Sequence, residues 1–283
     1  MPARLIGAHM PTAGGLDKAI RNGHSIGCTA VQVFTSSPQQ WKSKAVTPEL
    51  VQAFRAACES TGIGNHVVSH DSYLINLAAP DEELREKSKQ GLKGEIKRCH
   101  DYGIPFVVSH MGAHMGQGVD VGLRRVAEKA LEILEETPDD VTLLMETTAG
   151  QGTALNSKFE ELATVLDACG GHKRLGVCLD TCHVFSAGYD LRTSEAYEAT
   201  MAEFGAVVGM ERLKVVHCND SKNPFASRKD RHENLGEGSI GEACFKALVN
   251  DDRMEDVMIV IETPEAEKNH AENVAKLWSW IEP

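Results

Sequence analysis

No stretch of this chain is apolar enough to cross a bilayer: the longest purely apolar run, VMIVI at 257–261, falls far short of the roughly 20 residues a spanning helix needs. Nor is there a Pro/Gly/Ser-rich linker, a biased tract or a shift in composition along the 283 residues, so one domain over 1–283 is favoured above two. The opening MPARLIGAHM carries one Arg and too short an apolar stretch for a secretory leader. The eight cysteines form no CxxC pair. A reduced, cytoplasmic setting is expected, with most thiols serving as small buried hydrophobes. Positive charge is also lacking. A net charge of −12 argues against broad polyanion binding, unless the acidic side chains hold cations. Finally, no early Gly-rich dinucleotide fingerprint is present, which counts against a doubly wound open sheet.

What the sequence does have is eight short β-rich runs: RLIGAH (4–9), AVQVFT (30–35), HVVSH (66–70), FVVSH (106–110), TLLMET (142–147), LGVCLD (175–180), LKVVHCND (213–220) and VMIVIET (257–263). Helical segments lie between them. TPELVQAFRAACESTG (47–62) opens on a cap-like Thr-Pro-Glu and stops at Gly62, and DEELREKSKQGLKGEIKRCHDYG gives a longer, more polar helix. In DVGLRRVAEKALEILEE, apolar residues at 123, 126, 127, 130, 131 and 134 follow the helical period. Runs apolar on both faces, alternating with amphipathic helices, predict parallel strands covered by helices. Eight such units predict a closed α/β (β/α)8 TIM barrel, for which 283 residues is a normal length.

The ends of these runs carry the chemistry. They deliver His70, His110, Glu146, Asp180, His217 and Glu262, which a barrel would gather on its C-terminal face, where active sites are built. One histidine at a strand end is ordinarily a hydrogen-bonded structural residue. Six of eight strands ending in imidazole or carboxylate is another matter, because converging anions repel and unpaired burial is costly. Cations are therefore required. His183, three residues after Asp180, and the Asp230 and His232 of DRH are expected to join from loops. Nine nitrogen and oxygen donors point to zinc or manganese, and to several ions.

GVCLDTCHVF (176–185) raises the question of thiolate ligands. Cys178 shares a strand face with Asp180 and falls one layer deeper, as core packing, while Cys182 is placed in the following loop. Asp180 and His183 are then the donors.

These segments, in this order, resemble the endonuclease IV family, the zinc-dependent apurinic/apyrimidinic DNA repair nucleases also called deoxyribonuclease IV. The resemblance runs from GAHM to IVIETP and includes GLDKAI, HDSYLINLA, ETTAGQG, GVCLDTCHVFSAGYDLRT, HCNDSK and SRKDRHENLGEGSIG. It implies three zinc ions: one on His70, His110 and Glu146; a second sharing Glu146 with Asp180, His217 and Glu262; a third on His183, Asp230 and His232. Manganese is an alternative at one or more of these positions. The implied reaction is hydrolysis of the phosphodiester 5′ to an abasic site, leaving a 3′-hydroxyl, with removal of 3′ blocking groups by the same chemistry. Metals neutralise the phosphate, make a nucleophile of bound water, held here between two ions bridged by Glu146, and stabilise the leaving oxygen.

The implied partner is damaged duplex DNA, bent and with the abasic nucleotide flipped out, an extrusion that costs least where a base is already lost. Tyr73 and Leu74 match the family's inserting residues. Gln39 stands where better-known members have a basic residue, which removes one contact to the stack. Met111 replaces a common proline and alters that loop's rigidity, and His114 matches a family histidine that is not a ligand. Arg228 belongs to a local basic patch in SKNPFASRKDR, beside three donors, and is a candidate phosphate contact. Gly236, Gly238 and Gly241 read either as a phosphate cradle or as a tight loop, the latter being preferred. No membrane and no obligate protein partner is implied, and a monomer is the default. A xylose-isomerase-like sugar isomerase or epimerase is the runner-up, but it lacks the third donor set. A DNA-binding protein without catalysis would require a missing ligand, and none is missing.

Overall fold

Eight β-branched runs pair side by side, all parallel, and the first meets the last. In the computed structural model, which describes residues 4–282, the strands are β1 (Leu5–His9), β2 (Ala30–Val33), β3 (Val67–His70), β4 (Phe106–Ser109), β5 (Thr142–Glu146), β6 (Leu175–Asp180), β7 (Leu213–His217) and β10 (Met258–Ile261). They close as β1-β10-β7-β6-β5-β4-β3-β2, so no barrel edge is left unpaired. Between them run α1 (Leu16–Ser25), α2 (Pro48–Thr61), α3 (Glu82–Tyr102), α4 (Val119–Glu135), α5 (Phe159–Ala168), α6 (Thr181–Ala187), α7 (Ser194–Val207) and α8 (Glu242–Asn250), with α9 (Ala266–Ser279) after the last strand.

Helix limits follow local chemistry. Thr47 caps α2 by accepting from Leu50 N, Asp81 caps α3 by accepting from Leu84 N, and Gly62 and Gly103 end these helices at φ 75° and 86°. Strand seven is shorter than the run LKVVHCND suggests. It stops at His217, and the chain turns so that β8 (Asp220–Ser221) pairs antiparallel with β9 (His232–Glu233) outside the barrel.

The period of two residues in a strand positions the site. Ala30, Val68, Val108, Leu144, Cys178, Val215 and Val260 fill the barrel interior, while Leu143, Met145, Val177 and Leu179 face the helices. Two residues beyond each interior residue come Gln32, His70, His110, Glu146, Asp180, His217 and Glu262, on the same inward face at the C-terminal mouth. Cys178 is thus core, as expected. β1 can approach β2 because position 7 is glycine: a Cβ there would lie 1.7 Å from the Ala30 carbonyl oxygen.

Candidate metal centre

All nine expected donors meet at the barrel mouth. Their ligand atoms fall into three groups, each within 4.8 Å: His70, His110 and Glu146; Glu146, Asp180, His217 and Glu262; His183, Asp230 and His232. Glu146 belongs to two groups through different oxygens. Its Oε2 is 3.0 Å from His70 Nε2 and 3.4 Å from His110 Nε2, and its Oε1 is 2.9 Å from His217 Nδ1. The third group is tied in by His183 Nε2, 3.2 Å from Asp230 Oδ1, and by His232 Nε2, 3.5 Å from the same oxygen. Four-coordinate zinc with bonds of about 2.0–2.1 Å sets neighbouring ligands about 3.3 Å apart, which is the spacing seen here.

The donor atoms also fit a cation by their lack of other work. His183 Nε2 and His232 Nε2 are buried without a hydrogen-bond partner despite their closeness to Asp230. Lone pairs converging on a common point, rather than on each other, give this pattern. Their far sides are fixed: Nδ1 of His70 donates to the Asp71 carbonyl at 3.0 Å, that of His183 to the Thr147 carbonyl at 2.8 Å, and that of His232 to the Glu262 carbonyl at 3.2 Å. With Nδ1–H donated outward, Nε2 is the nitrogen that faces inward and would ligate once any proton on it is displaced.

The protein's own charges are strongly coupled here. Burial favours a neutral Glu146, but His110, His217 and His183 outweigh it and hold the carboxyl well below the usual range. Burial likewise opposes a charged His70, yet Glu146, Asp71 and Glu262 raise it to about 10. Asp230, despite its burial, is brought to about 2 by His183 and His232. Burial lowers His110 against the pull of Glu146. A proton on an inward-facing ring nitrogen of this cluster occupies the place a metal would take.

Two placements differ from expectation. Cys182 and His183 are not in a loop: Asp180 Oδ1 caps α6 by accepting from His183 N at 2.9 Å, so the helix begins immediately after the strand. His232 is carried by the two-residue β9, and only Asp230 lies in irregular chain. Cys182 is near Asp180 and His232, yet its thiol donates to the Arg231 carbonyl at 3.7 Å, and burial raises it to about 12.

The glycine-rich NLGEGSIG loop folds around an internal anion. The buried Asp220 carboxylate accepts from the backbone N–H of Gly236, Gly238, Ile240 and Gly241 at 2.9–3.4 Å, so those donors are already taken. The tight-loop reading holds and the phosphate cradle does not. Met111 is buried at φ 58°, a value closed to proline. His114 stands outside all donor groups and accepts from Gly118 N through Nδ1 at 3.1 Å.

Beside the cluster, a cleft of about 590 Å³ is lined by Tyr73, Leu74, His110, Met115, Gln151 and Asp230. A larger groove of about 770 Å³ between Val46 and Asp101 lies on the outer face of α2 and holds none of the nine donors, so the smaller cleft is the one chemistry selects. Tyr73 is 61% exposed and Leu74 half-buried. Ser72 Oγ and Tyr73 N both donate to the Pro38 carbonyl, at 2.7 and 3.1 Å, joining the Tyr73 loop to the one bearing Gln39. Gln39 is exposed and is not among the cleft-lining residues; Arg228 is exposed at φ 53°.

Sequence reasoning missed the side chains that hold the donors. Gln32 and His9 contact Glu262 Oε1 at 2.6 and 3.1 Å, and Asn219 donates to Asp180 Oδ2 at 2.7 Å while accepting from Glu262 N at 2.7 Å. For Gln32 the signal was available: a polar residue two beyond Ala30 shares the inward register of the donors.

The closed eight-stranded parallel barrel is of the xylose isomerase-like TIM barrel class, and a family model of that description matches residues 20–282. A probable endonuclease 4 of Chloroflexus aurantiacus is 48% identical over 262 residues, 92% of each chain. The crystal structure of endonuclease IV from Thermus thermophilus is similar at a TM-score of 0.87 and 36% identity, covering 98% of both chains. A 3-keto-D-glucoside 4-epimerase from E. coli has a TM-score of 0.70 at 13% identity, over 98% of this chain and 100% of that one, a likeness of fold alone. The chain belongs to the endonuclease IV family of DNA repair nucleases.

Proposed function

We propose that this protein hydrolyses the phosphodiester 5′ to an abasic site in duplex DNA, leaves a 3′-hydroxyl, and removes 3′ blocking groups at the same centre. We assign it three zinc ions, with manganese an alternative at individual positions, and read it as a one-domain cytoplasmic monomer. The observation that carries the reading is the third donor set, His183 with Asp230 and His232, beside a Glu146 that faces two other sets. An isomerase moving a proton has no use for that third set. Incubation with an end-labelled duplex holding one abasic analogue tests it: a single cut on the 5′ side, abolished by chelator, is expected. Epimerisation of a sugar without incision would favour the isomerase.

Zinc bound here supplies a water of lowered pKa, neutralises the phosphate and stabilises the leaving oxygen. The residues do the rest. His70, His110 and Glu146 would hold one ion, Glu146, Asp180, His217 and Glu262 the second, and His183, Asp230 and His232 the third. Four carboxylates against three divalent ions leave a local excess of two positive charges. An acidic chain can therefore present a cationic mouth to a phosphate.

Zinc must displace protons from these histidines. His70 is raised from 6.5 to about 10, so its proton stabilises the metal-free fold fully below about pH 6.5, and that contribution is lost as pH rises through about 10. Competition with the proton makes zinc binding tighten as pH rises from 6 to 8. Calorimetry in buffers of differing ionisation enthalpy should detect proton release; heats independent of the buffer would argue against displacement.

Tyr73 and Leu74 at the cleft rim serve as the wedge, and Arg228 contacts phosphate. Gln39, being uncharged, adds no ionic contact to the stack. Tyr73→Ala should reduce preference for abasic over intact duplex by roughly tenfold, about 1.4 kcal/mol, because stacking on an inserted ring is worth about 1–3 kcal/mol only once a nucleotide has left. Its salt dependence should match the wild type, since counterion release follows phosphate contacts alone. Anisotropy on paired duplexes with metal-depleted protein measures both. An unchanged preference would make Tyr73 a packing residue.

A further inference from the structure

Three of the site's histidines are oriented by backbone carbonyls, which no substitution removes. His217 is held differently. It turns its other nitrogen inward: Nδ1 faces Glu146 Oε1 at 2.9 Å, Glu262 Oε2 at 3.3 Å and Asp180 Oδ2 at 4.0 Å. Its Nε2 meets a side chain, Gln32 Oε1, at 2.7 Å. Gln32 is fully buried in β2, 185 positions away in sequence.

We infer that Gln32 is the positioning residue of the second metal group, fixing the tautomer of His217 and the direction of Glu262 with one amide. The inference rests on the proposed metal centre and adds a determinant to it. The orientation of an amide is read from its partners. Glu262 Oε1, 2.6 Å away, is a carboxylate oxygen and only accepts, so the NH2 end of Gln32 must face it. The oxygen end then faces His217 and itself only accepts. Nε2 of His217 must carry a hydrogen, which leaves Nδ1, among three carboxylates, as the nitrogen that would ligate. The reversed amide would set two acceptors against each other, 2.6 Å apart, at Glu262.

The same amide holds Glu262. Tethering Oε1 leaves Oε2 on the side of His217 Nδ1. His9 Nδ1 completes the arrangement, 2.9 Å from Gln32 Nε2 and 3.1 Å from Glu262 Oε1. A buried glutamine serving only as packing would have no reason to bridge two donors of one group with opposite ends.

The test begins with the wild-type chain loaded with zinc and labelled with 15N-histidine. Long-range 1H–15N correlations should give His217, assigned by the loss of its signal in His217→Asn, as the ring protonated on Nε2 and ligated through Nδ1. His70, His183 and His232 should have the opposite pattern. A His217 ligated through Nε2 overturns the inference, and this needs no variant to fold. Gln32→Met preserves length but removes both polar ends, and should weaken retention of one zinc against a competing chelator by about 10–100-fold, with kcat falling at unchanged KM. Gln32→Glu retains an acceptor for His217 and should keep the Nε2–H signature, while its new charge against Glu262 still loosens that zinc. Unchanged zinc retention in a folded Gln32→Met chain overturns the inference. The two readings fail separately. A wild-type chain that takes up no zinc sinks the proposed function, whereas three tightly held ions in both chains sink only the role of Gln32.

Discussion

Glu146→Gln should remove incision by several orders of magnitude while leaving the barrel folded. Glu146 is 1% exposed, and four histidines approach its two oxygens, His70 and His110 on one side, His217 and His183 on the other, at 2.9–3.4 Å. Glutamine keeps the volume, so packing of β5 against its neighbours survives. It removes a charge that two donor groups share, and its amide turns an N–H toward one pair of imidazoles, whichever way it lies. The first group then has no anion left, and the second keeps only Asp180 and Glu262. Circular dichroism should be unchanged while zinc content and cleavage of an abasic duplex both fall. Cleavage within about tenfold of the wild type, equivalent to about 1.4 kcal/mol in the barrier, with full metal content, would remove Glu146 from the bridging position.

The second large effect separates carboxylate from thiol in GVCLDTCHVF. Asp180→Asn should lose metal and activity together without loss of fold, because asparagine caps a helix as well as aspartate and can still accept from His183 N. The removed charge lies 3.5 Å from His232 Nε2 and 4.0 Å from His217 Nδ1, so two donor groups feel it. Cys178→Ala and Cys182→Ala should keep full zinc and full incision, at a cost of roughly 1–2 kcal/mol each in stability for the buried volume lost. Zinc measured by mass spectrometry across these three variants gives the comparison. Loss of zinc from either cysteine variant, with Asp180→Asn retaining it, would restore a thiolate site.

The barrel and its donors were legible because both rest on a short period. A strand buried on both faces still alternates, so apolar residues two before each strand end mark the interior, and His70, Glu146, Asp180 and His217 follow in the same register. What could not be read was anything depending on partners distant in sequence. The β8–β9 ladder has two residues per strand, too few to carry a pattern, yet it delivers His232. Gly236, Gly238 and Gly241 resemble an anion cradle because they are one, but the anion is the chain's own Asp220. Asn219 shows no local sign of its role, which exists only across the closed mouth, whereas His9 ends β1 in register with Gln32. The start of α6 has a local sign: Asp180 is a capping residue type, and its Oδ1 accepts from His183 N.

The proposed reaction requires three ions acting together at one mouth. Zinc titrated into chelator-treated protein, with 5′ incision of an end-labelled abasic duplex recorded at each equivalent, measures this directly. Incision should saturate only at the third zinc per chain, and a His183→Ala chain, holding fewer ions, should stay inactive at any zinc level. Full incision at one or two ions per chain, unaffected by His183→Ala, would contradict it.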